Sequence, residues 1–146
     1  MESNLGILVV EDFEPLRRLI FHKLRNELHL SNILGAADGE EGARLAEELE
    51  PDLVILDVGL PKLNGLQVAE RVSKSAARSI ILFVSQESSE EVVEEAFRVG
   101  GTGYVLKIDM ETDLTMAVAR VLRGEKYLSR SLAGCEIAML RSSSPV

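Results

Sequence analysis

Acidic side chains end two apolar runs of this sequence. Glu11 and Asp12 follow the run at 7–10, and Asp57 closes the run that begins at 53. If both runs form buried parallel strands, their carboxyl ends meet at the edge of the sheet where open α/β folds bind ligands. The three carboxylates would then share one pocket. Because burying a charge is costly unless it has partners, we take Asp57 as the candidate reactive group.

A divalent cation is the expected partner of these acids. Two carboxylates about 4 Å apart repel each other by roughly 4 kcal/mol at a surface-like dielectric constant. Either their pKa values rise or a cation lies among them. Hard oxygen ligands with open positions for water and phosphate favour Mg²⁺, or Mn²⁺ in its place. We expect Asp12, Asp57 and the backbone carbonyl near Gly59 to hold the ion, with Glu11 acting largely through water.

A hydroxyl and an ammonium group follow two later apolar runs. Ser85 comes after the run at 80–84, and Lys107 closes the run at 103–107. A carboxylate next to Mg²⁺ can still attack phosphorus, because the metal neutralises charge on the incoming phosphoryl group. Lys107 supplies a positive charge for one phosphoryl oxygen, and Ser85 a hydrogen-bond donor for another. Since aspartate is a known covalent nucleophile, these residues predict an aspartate that accepts a phosphoryl group.

The elements that must position these residues alternate between strand-like and helix-like patterns. Short apolar runs, typical of parallel strands covered on both faces, are separated by segments with helical spacing. The predicted strands are 5–10, 32–36, 53–57, 80–84 and 103–107. Strict alternation predicts an α/β fold with a five-stranded parallel sheet and helices on both faces. After Gly124 the pattern weakens, and a short helix around 129–141 is predicted there.

Length and charge place the chain in the class of single globular domains. It has 146 residues, 46% of them hydrophobic, which is enough for a core without disulfides. The net charge of −8 and the scattered bases argue against a DNA-binding surface. No apolar run approaches the roughly 20 residues that span a membrane. An acidic N-terminus and a single cysteine, Cys135, favour the cytoplasm over export.

The ordered set of site residues resembles the receiver domain of bacterial two-component response regulators. The resemblance covers residues 5–123 and rests on Glu11-Asp12, Asp57 with Pro61 and Gly65 after it, Ser85, and Lys107. It implies the flavodoxin-like strand order 2-1-3-4-5. It also implies a Mg²⁺-dependent transfer to Asp57 from the phosphohistidine of a sensor histidine kinase or a phosphotransfer protein.

The same resemblance implies a conformational switch. Tyr104 falls at the family's switch aromatic, three residues before the lysine. Phosphorylation is expected to draw Ser85 towards the phosphoryl group and Tyr104 inward. The fourth helix, fifth strand and fifth helix would then present a changed surface for dimerisation or for an output partner.

Within the family, the second half of the chain resembles receivers that precede a LuxR-type helix-turn-helix output domain. The matching stretches are 103–107, 113–118 and 124–129. We predict a receiver domain at 1–123 and a linker or short C-terminal tail at 124–146. DNA contact would then need an output domain that this chain lacks. We expect a piece of a longer transcription regulator in preference to a stand-alone receiver that acts as a phosphorelay intermediate or interaction module.

Two positions depart from the family's pattern. Ile108 follows Lys107, where many receivers have a proline after a cis peptide bond. Because a cis bond before a non-proline residue costs about 2.5–4 kcal/mol, we expect a trans bond here. Gln86 follows Ser85, where the family usually has a small residue, and we hypothesise that this amide slows dephosphorylation.

An aspartate-nucleophile phosphohydrolase of the haloacid-dehalogenase type is the alternative enzyme. Such enzymes need a second aspartate, two residues after the nucleophile, as general acid, and Gly59 occupies that position. We therefore expect no enzymatic activity beyond the domain's own phosphotransfer and slow dephosphorylation. A phosphorylation-independent interaction domain with the same fold is a third interpretation, disfavoured because every chemical position is filled.

Overall fold

The fold is built around one central parallel sheet. The computed structural model describes residues 5–135, which form a sheet of six strands in the order β2-β1-β3-β4-β5-β6, with every pairing parallel. The strands are Ile7–Val10 (β1), Ile33–Ala36 (β2), Leu53–Leu56 (β3), Ile80–Ser85 (β4), Gly101–Leu106 (β5) and Tyr127–Leu128 (β6). Parallel strands bring all their carboxyl ends to one edge, and the predicted site residues follow β1, β3, β4 and β5.

Helices cover both faces of this sheet, as predicted. They are Glu14–Leu28 (α1), Gly39–Leu49 (α2), Gly65–Ser75 (α3), Glu90–Arg98 (α4) and Met110–Leu122 (α5). Successive strand residues point to opposite faces, so β1 divides its side chains between two cores. Leu8 and Val10 pack with α2, α3 and α4, whereas Ile7 and Val9 pack with α1 and α5. The two hydrophobic cores hold the sheet in place, and the ends of its strands position the site residues.

The predicted five-stranded sheet is wrong by one strand. The additional strand, β6, has two residues and pairs Tyr127 with Gly103 and Leu128 with Tyr104. Two residues are too short for an alternating apolar pattern, so the sequence gives no strand signal at this point. The domain boundary at residue 123 stays a prediction, although the chain beyond it continues along the sheet.

The short helix predicted at 129–141 is described only in its first half. Residues Arg130–Cys135 form 3-10 turns with a break in helical geometry at Leu132, and positions 136–141 lie outside the described residues. Another 3-10 turn, Lys107–Asp109, joins β5 to α5.

The turn after Asp57 is fixed by the start of α3. Asn64 and Gln67 form a reciprocal capping box, in which each side chain accepts a hydrogen bond from the other's backbone N–H. Gly65 donates its backbone N–H to the carbonyl of Val58 at 2.8 Å. A Cβ atom at Gly65 would overlap the carbonyl oxygen of Asp57, so the helix approaches the site this closely because glycine stands there.

Two further expectations concern the backbone and the membrane. Residues 5–135 contain no cis peptide bond, so the Lys107–Ile108 bond is trans, as predicted. Within the same part of the chain, no helix is both long enough and apolar enough to cross a bilayer.

Candidate functional site

A cleft at the carboxyl edge of the sheet collects the predicted site residues. Its volume is about 620 Å³. Its lining comes from the ends of β1, β3, β4 and β5, from the loops that follow them and from the start of α1. It consists of Glu11, Asp12, Phe13, Leu16, Asp57, Gly59, Ser85, Gln86, Glu87 and Lys107. Every residue predicted for the metal and for phosphoryl binding is therefore in one place. Tyr104 lies outside this lining.

The three carboxylates form a close cluster. One oxygen each from Glu11, Asp12 and Asp57 lies within 4.8 Å of the other two. Glu11 and Asp57 are 2% and 5% exposed, whereas Asp12 is open to solvent. Burial raises the pKa of Glu11 above its ordinary value, and the neighbouring charge of Asp57 raises it further against a hydrogen bond from the Phe13 backbone N–H. The cluster thus concentrates negative charge where water is scarce.

Lys107 is the cation that faces this cluster. Its Nζ lies 3.0 Å from Oδ2 of Asp57 and 3.2 Å from Oε1 of Glu11. Burial lowers the pKa of Lys107, but the hydrogen bond and charge of Asp57, together with Glu11, outweigh it and leave the pKa raised. Among the described residues that line the cleft, one ammonium group faces these three carboxylates, so the cleft keeps an excess of negative charge.

The donor set fits a divalent metal ion. Oε1 of Glu11 is buried and accepts no hydrogen bond from the described residues, although the Lys107 ammonium stands at ion-pair distance. An under-coordinated carboxylate oxygen beside two more carboxylates is the hard, oxygen-only environment that Mg²⁺ or Mn²⁺ prefers. Gly59 lines the same cleft and donates its backbone N–H to Oδ1 of Asp57 at 3.2 Å. The role predicted for its carbonyl stays a prediction.

The loop after β4 links Ser85 to Tyr104. The buried Ser85 hydroxyl accepts a hydrogen bond from the Glu87 backbone N–H at 3.1 Å, and a hydroxyl that accepts can still donate its own proton. The Tyr104 hydroxyl donates to the Glu87 carbonyl at 2.7 Å, and its ring stacks on Phe83 with 5.9 Å between centroids. With Asp57 paired to Lys107, Tyr104 is already completely buried. The inward movement expected of Tyr104 on phosphorylation stays a prediction, because this side chain is already buried here.

Arg17 is a residue of the site that sequence reasoning missed. Its Nη1 donates to the backbone carbonyl of Glu11 at 2.6 Å and so holds the turn that carries the acids. In the sequence Arg17 falls off the apolar stripe of α1 and looks like a solvated surface charge. No local pattern marks it, because the contact depends on how α1 packs after β1.

Comparison with known proteins places this chain in one family. Residues 7–119 match the response regulator receiver domain. The nitrate/nitrite response regulator protein NarL of Escherichia coli K12 is 34% identical over 138 residues, which cover 94% of this chain and 63% of that protein. The positive alginate biosynthesis regulatory protein of Pseudomonas aeruginosa is 36% identical over 121 residues, covering 82% of this chain and 48% of that protein. The chain thus spans about half to two thirds of the length of these relatives.

Solved structures agree with the sequence relatives. The crystal structure of a LuxR-family two-component response regulator from Aurantimonas sp. SI85-9A1 is similar with a TM-score of 0.85 and 27% identity, covering 95% of this chain and 99% of that one. The family match covers most of the chain and agrees with the fold. The protein therefore belongs to the response regulator receiver domain family.

Proposed function

We propose that Asp57 is the phospho-acceptor of a two-component signalling pathway. The observation that carries this proposal is the Asp57 carboxylate itself, buried at the end of β3 and held between an ammonium group and two further acids in one open cleft. The donor is the phosphohistidine of a sensor histidine kinase or of a phosphotransfer protein. Receiver domains are signalling domains, and Gly59 stands where a phosphohydrolase would need its general acid.

The proposed step exchanges one bond to phosphorus for another. A carboxylate oxygen of Asp57 attacks the phosphorus atom, an acyl phosphate O–P bond forms, and the N–P bond of the donor histidine breaks with its electron pair going to the imidazole nitrogen. Lys107 moves its ammonium contact from Asp57 to a phosphoryl oxygen. The Ser85 hydroxyl donates to another phosphoryl oxygen.

The acidic cluster is proposed to hold Mg²⁺ or Mn²⁺. Asp12 and Asp57 would be direct ligands, the backbone carbonyl of Gly59 a third, and Glu11 would act largely through water. When bound, the metal neutralises charge on the phosphoryl oxygens. Lys107 and Ser85 then orient the incoming phosphoryl group.

The proposed output is a changed surface on α4, β5 and α5. Ser85 and Tyr104 both form hydrogen bonds with the backbone of Glu87. Movement of Ser85 towards a phosphoryl group would therefore shift Tyr104 and the start of α4. Such a change would bias dimerisation or an output partner. Relatives named as transcriptional regulators, such as the transcriptional activator protein ExaE of Pseudomonas putida, support control of transcription through a domain outside this chain.

Phosphorylation with a small donor tests the proposal. Incubation of the protein with Mg²⁺ and acetyl phosphate should add the mass of one phosphoryl group, measured by intact-protein mass spectrometry. Asp57→Asn should gain no such mass. Asp52→Asn is the matched control, because Asp52 is the acid at the opposite end of the same strand, and it should be labelled like the wild type. Equal labelling of Asp57→Asn would refute the assignment.

A further inference from the structure

Two residues near Lys107, Leu106 directly before it and Asp109 two positions after it, are held by serines that follow β6. We call residues 127–132 the C-terminal clasp. On one side of Lys107, the backbone N–H of Leu106 donates to the Ser129 hydroxyl oxygen at 3.0 Å. The Ser129 backbone N–H in turn donates to the carbonyl of Tyr104 at 3.0 Å, and Ser129 is only 1% exposed. This serine therefore holds the last residues of β5, directly before the lysine.

On the other side, Asp109 is fixed by the same segment. Its Oδ1 accepts a hydrogen bond from the Ser131 hydroxyl at 2.7 Å, and its Oδ2 accepts one from the Ser131 backbone N–H at 2.9 Å. Asp109 is 5% exposed, so this carboxylate depends on hydrogen bonds from the protein, although Ser131 itself is exposed. The lysine thus sits on a short turn that the clasp holds at both ends.

Apart from the clasp, the turn is bonded to the start of α5. The Met110 backbone N–H donates to the Lys107 carbonyl, and the Thr112 hydroxyl donates to the Asp109 carbonyl at 3.1 Å. Ile108, the residue next to Lys107, is 84% exposed and contributes no burial. A 3-10 turn of three residues has poor hydrogen-bond geometry of its own. We propose that Ser129 and Ser131 are positioning residues, which set the reach of the Lys107 ammonium towards the group carried by Asp57. This inference rests on the proposed role of Asp57 as phospho-acceptor.

Position matters here because the lysine acts as a point charge. A misplacement of about 1 Å caused away from the reacting atoms can slow a reaction by roughly a hundredfold. The metal ligands come from the loops after β1 and β3, whereas the hydrogen bonds of the clasp described above go to β5, to Asp109 and to α5. Loosening the clasp should therefore slow phosphorylation while metal affinity stays the same. A general loss of structure would instead lower both the phosphorylation rate and the metal affinity.

The experiment compares serine variants of the full chain. Ser131→Ala is the main variant, since Ser131 is exposed and its loss leaves the core intact, and Ser129→Ala is the second. Ser131→Thr keeps the hydroxyl. Ser73→Ala is the control, because the Ser73 hydroxyl also links two separate segments, by donating to the Val99 backbone carbonyl at 2.8 Å, and neither residue lines the cleft. The readouts are the labelling rate at saturating acetyl phosphate and the Mn²⁺ dissociation constant from electron paramagnetic resonance of the free ion.

The expected result is a labelling rate reduced about tenfold in Ser131→Ala, within the range that misplacement produces, with unchanged Mn²⁺ affinity and recovery in Ser131→Thr. Unchanged rates in both alanine variants would overturn the inference. So would a parallel loss of Mn²⁺ affinity, or equal slowing in Ser73→Ala. Labelling of Asp57→Asn would instead refute the proposed function, so the two failures are distinguishable.

Discussion

The Asp57 carboxylate is 5% exposed, so its charge depends on its neighbours. Lys107 compensates part of that charge, and Glu11, itself nearly inaccessible, adds to it. A site with more buried acid than base attracts cations, and it leaves the ammonium of Lys107 ready to exchange one oxygen partner for another. These single-residue contacts suit the cleft to a cation and support the proposal that it receives a phosphoryl group.

Gln86 gives a prediction about the lifetime of that group. It is exposed and lines the cleft directly after Ser85, where its amide can restrict the approach of water to the acyl phosphate. In Gln86→Ala, loss of the phosphoryl group from labelled protein should be several-fold faster, followed by mass spectrometry after removal of acetyl phosphate. Ser88→Ala, an exposed change in the same loop but outside the cleft lining, should leave the rate unchanged. A rate in Gln86→Ala no faster than the wild type would exclude this role.

Among the elements, α5 and the C-terminal clasp are joined by a buried acid. Asp113 is 3% exposed, and its two oxygens accept hydrogen bonds from Thr112, from the Tyr127 hydroxyl, and from the backbone and side chain of Arg130. Burial alone would raise the pKa of Asp113, but these hydrogen bonds outweigh it and lower the pKa below its ordinary value. The charged form of Asp113 therefore stabilises the fold.

The sign of that shift predicts a pH dependence of stability. A lowered pKa contributes stability that is fully present above the unfolded value of about 3.9 and is lost as the pH falls through the folded value. The free energy of unfolding in urea should fall between pH 6 and pH 3, and Asp113→Asn should be less stable at pH 6 and lose less over that range. Glu48→Gln, which changes an exposed acid, should follow the wild type. Identical pH profiles for Asp113→Asn and the wild type would contradict the assignment.

Strand and helix positions could be predicted where the local pattern is strong. The runs that became β1, β3 and β4 are continuous and apolar, and burial of such runs is dictated by their own composition. Tyr127–Leu128 carries no such pattern, and β6 depends on contacts far along the chain, such as the one between Ser129 and Leu106. The sequence could not predict this strand because it has only two residues and its partners, Gly103 and Tyr104, lie far earlier in the chain.

The site residues likewise include some that the sequence predicts and some that it does not. Glu11, Asp57 and Lys107 could be placed together because each follows a recognisable strand, and parallel strands share an edge. Asp109 could not be found, since an acid near the start of a helix is usually solvent-exposed. Only the fold shows that it is buried against Ser131.

At the scale of the whole molecule, Leu132 tests where the domain ends. It is 2% exposed and packs in the same core as Tyr104 and Phe97, nine residues beyond the predicted boundary at 123. If the core extends this far, Leu132→Ala should lower the free energy of unfolding by about 2–5 kcal/mol, the usual cost of such a truncation. The midpoint and slope of urea unfolding give this value. Leu49→Ala is the control at an exposed leucine, and it should change stability by less than about 0.5 kcal/mol. If Leu132→Ala and Leu49→Ala were equally stable, the core would not extend past residue 123. The clasp, which begins after that residue, would then not contribute to the stability of the fold.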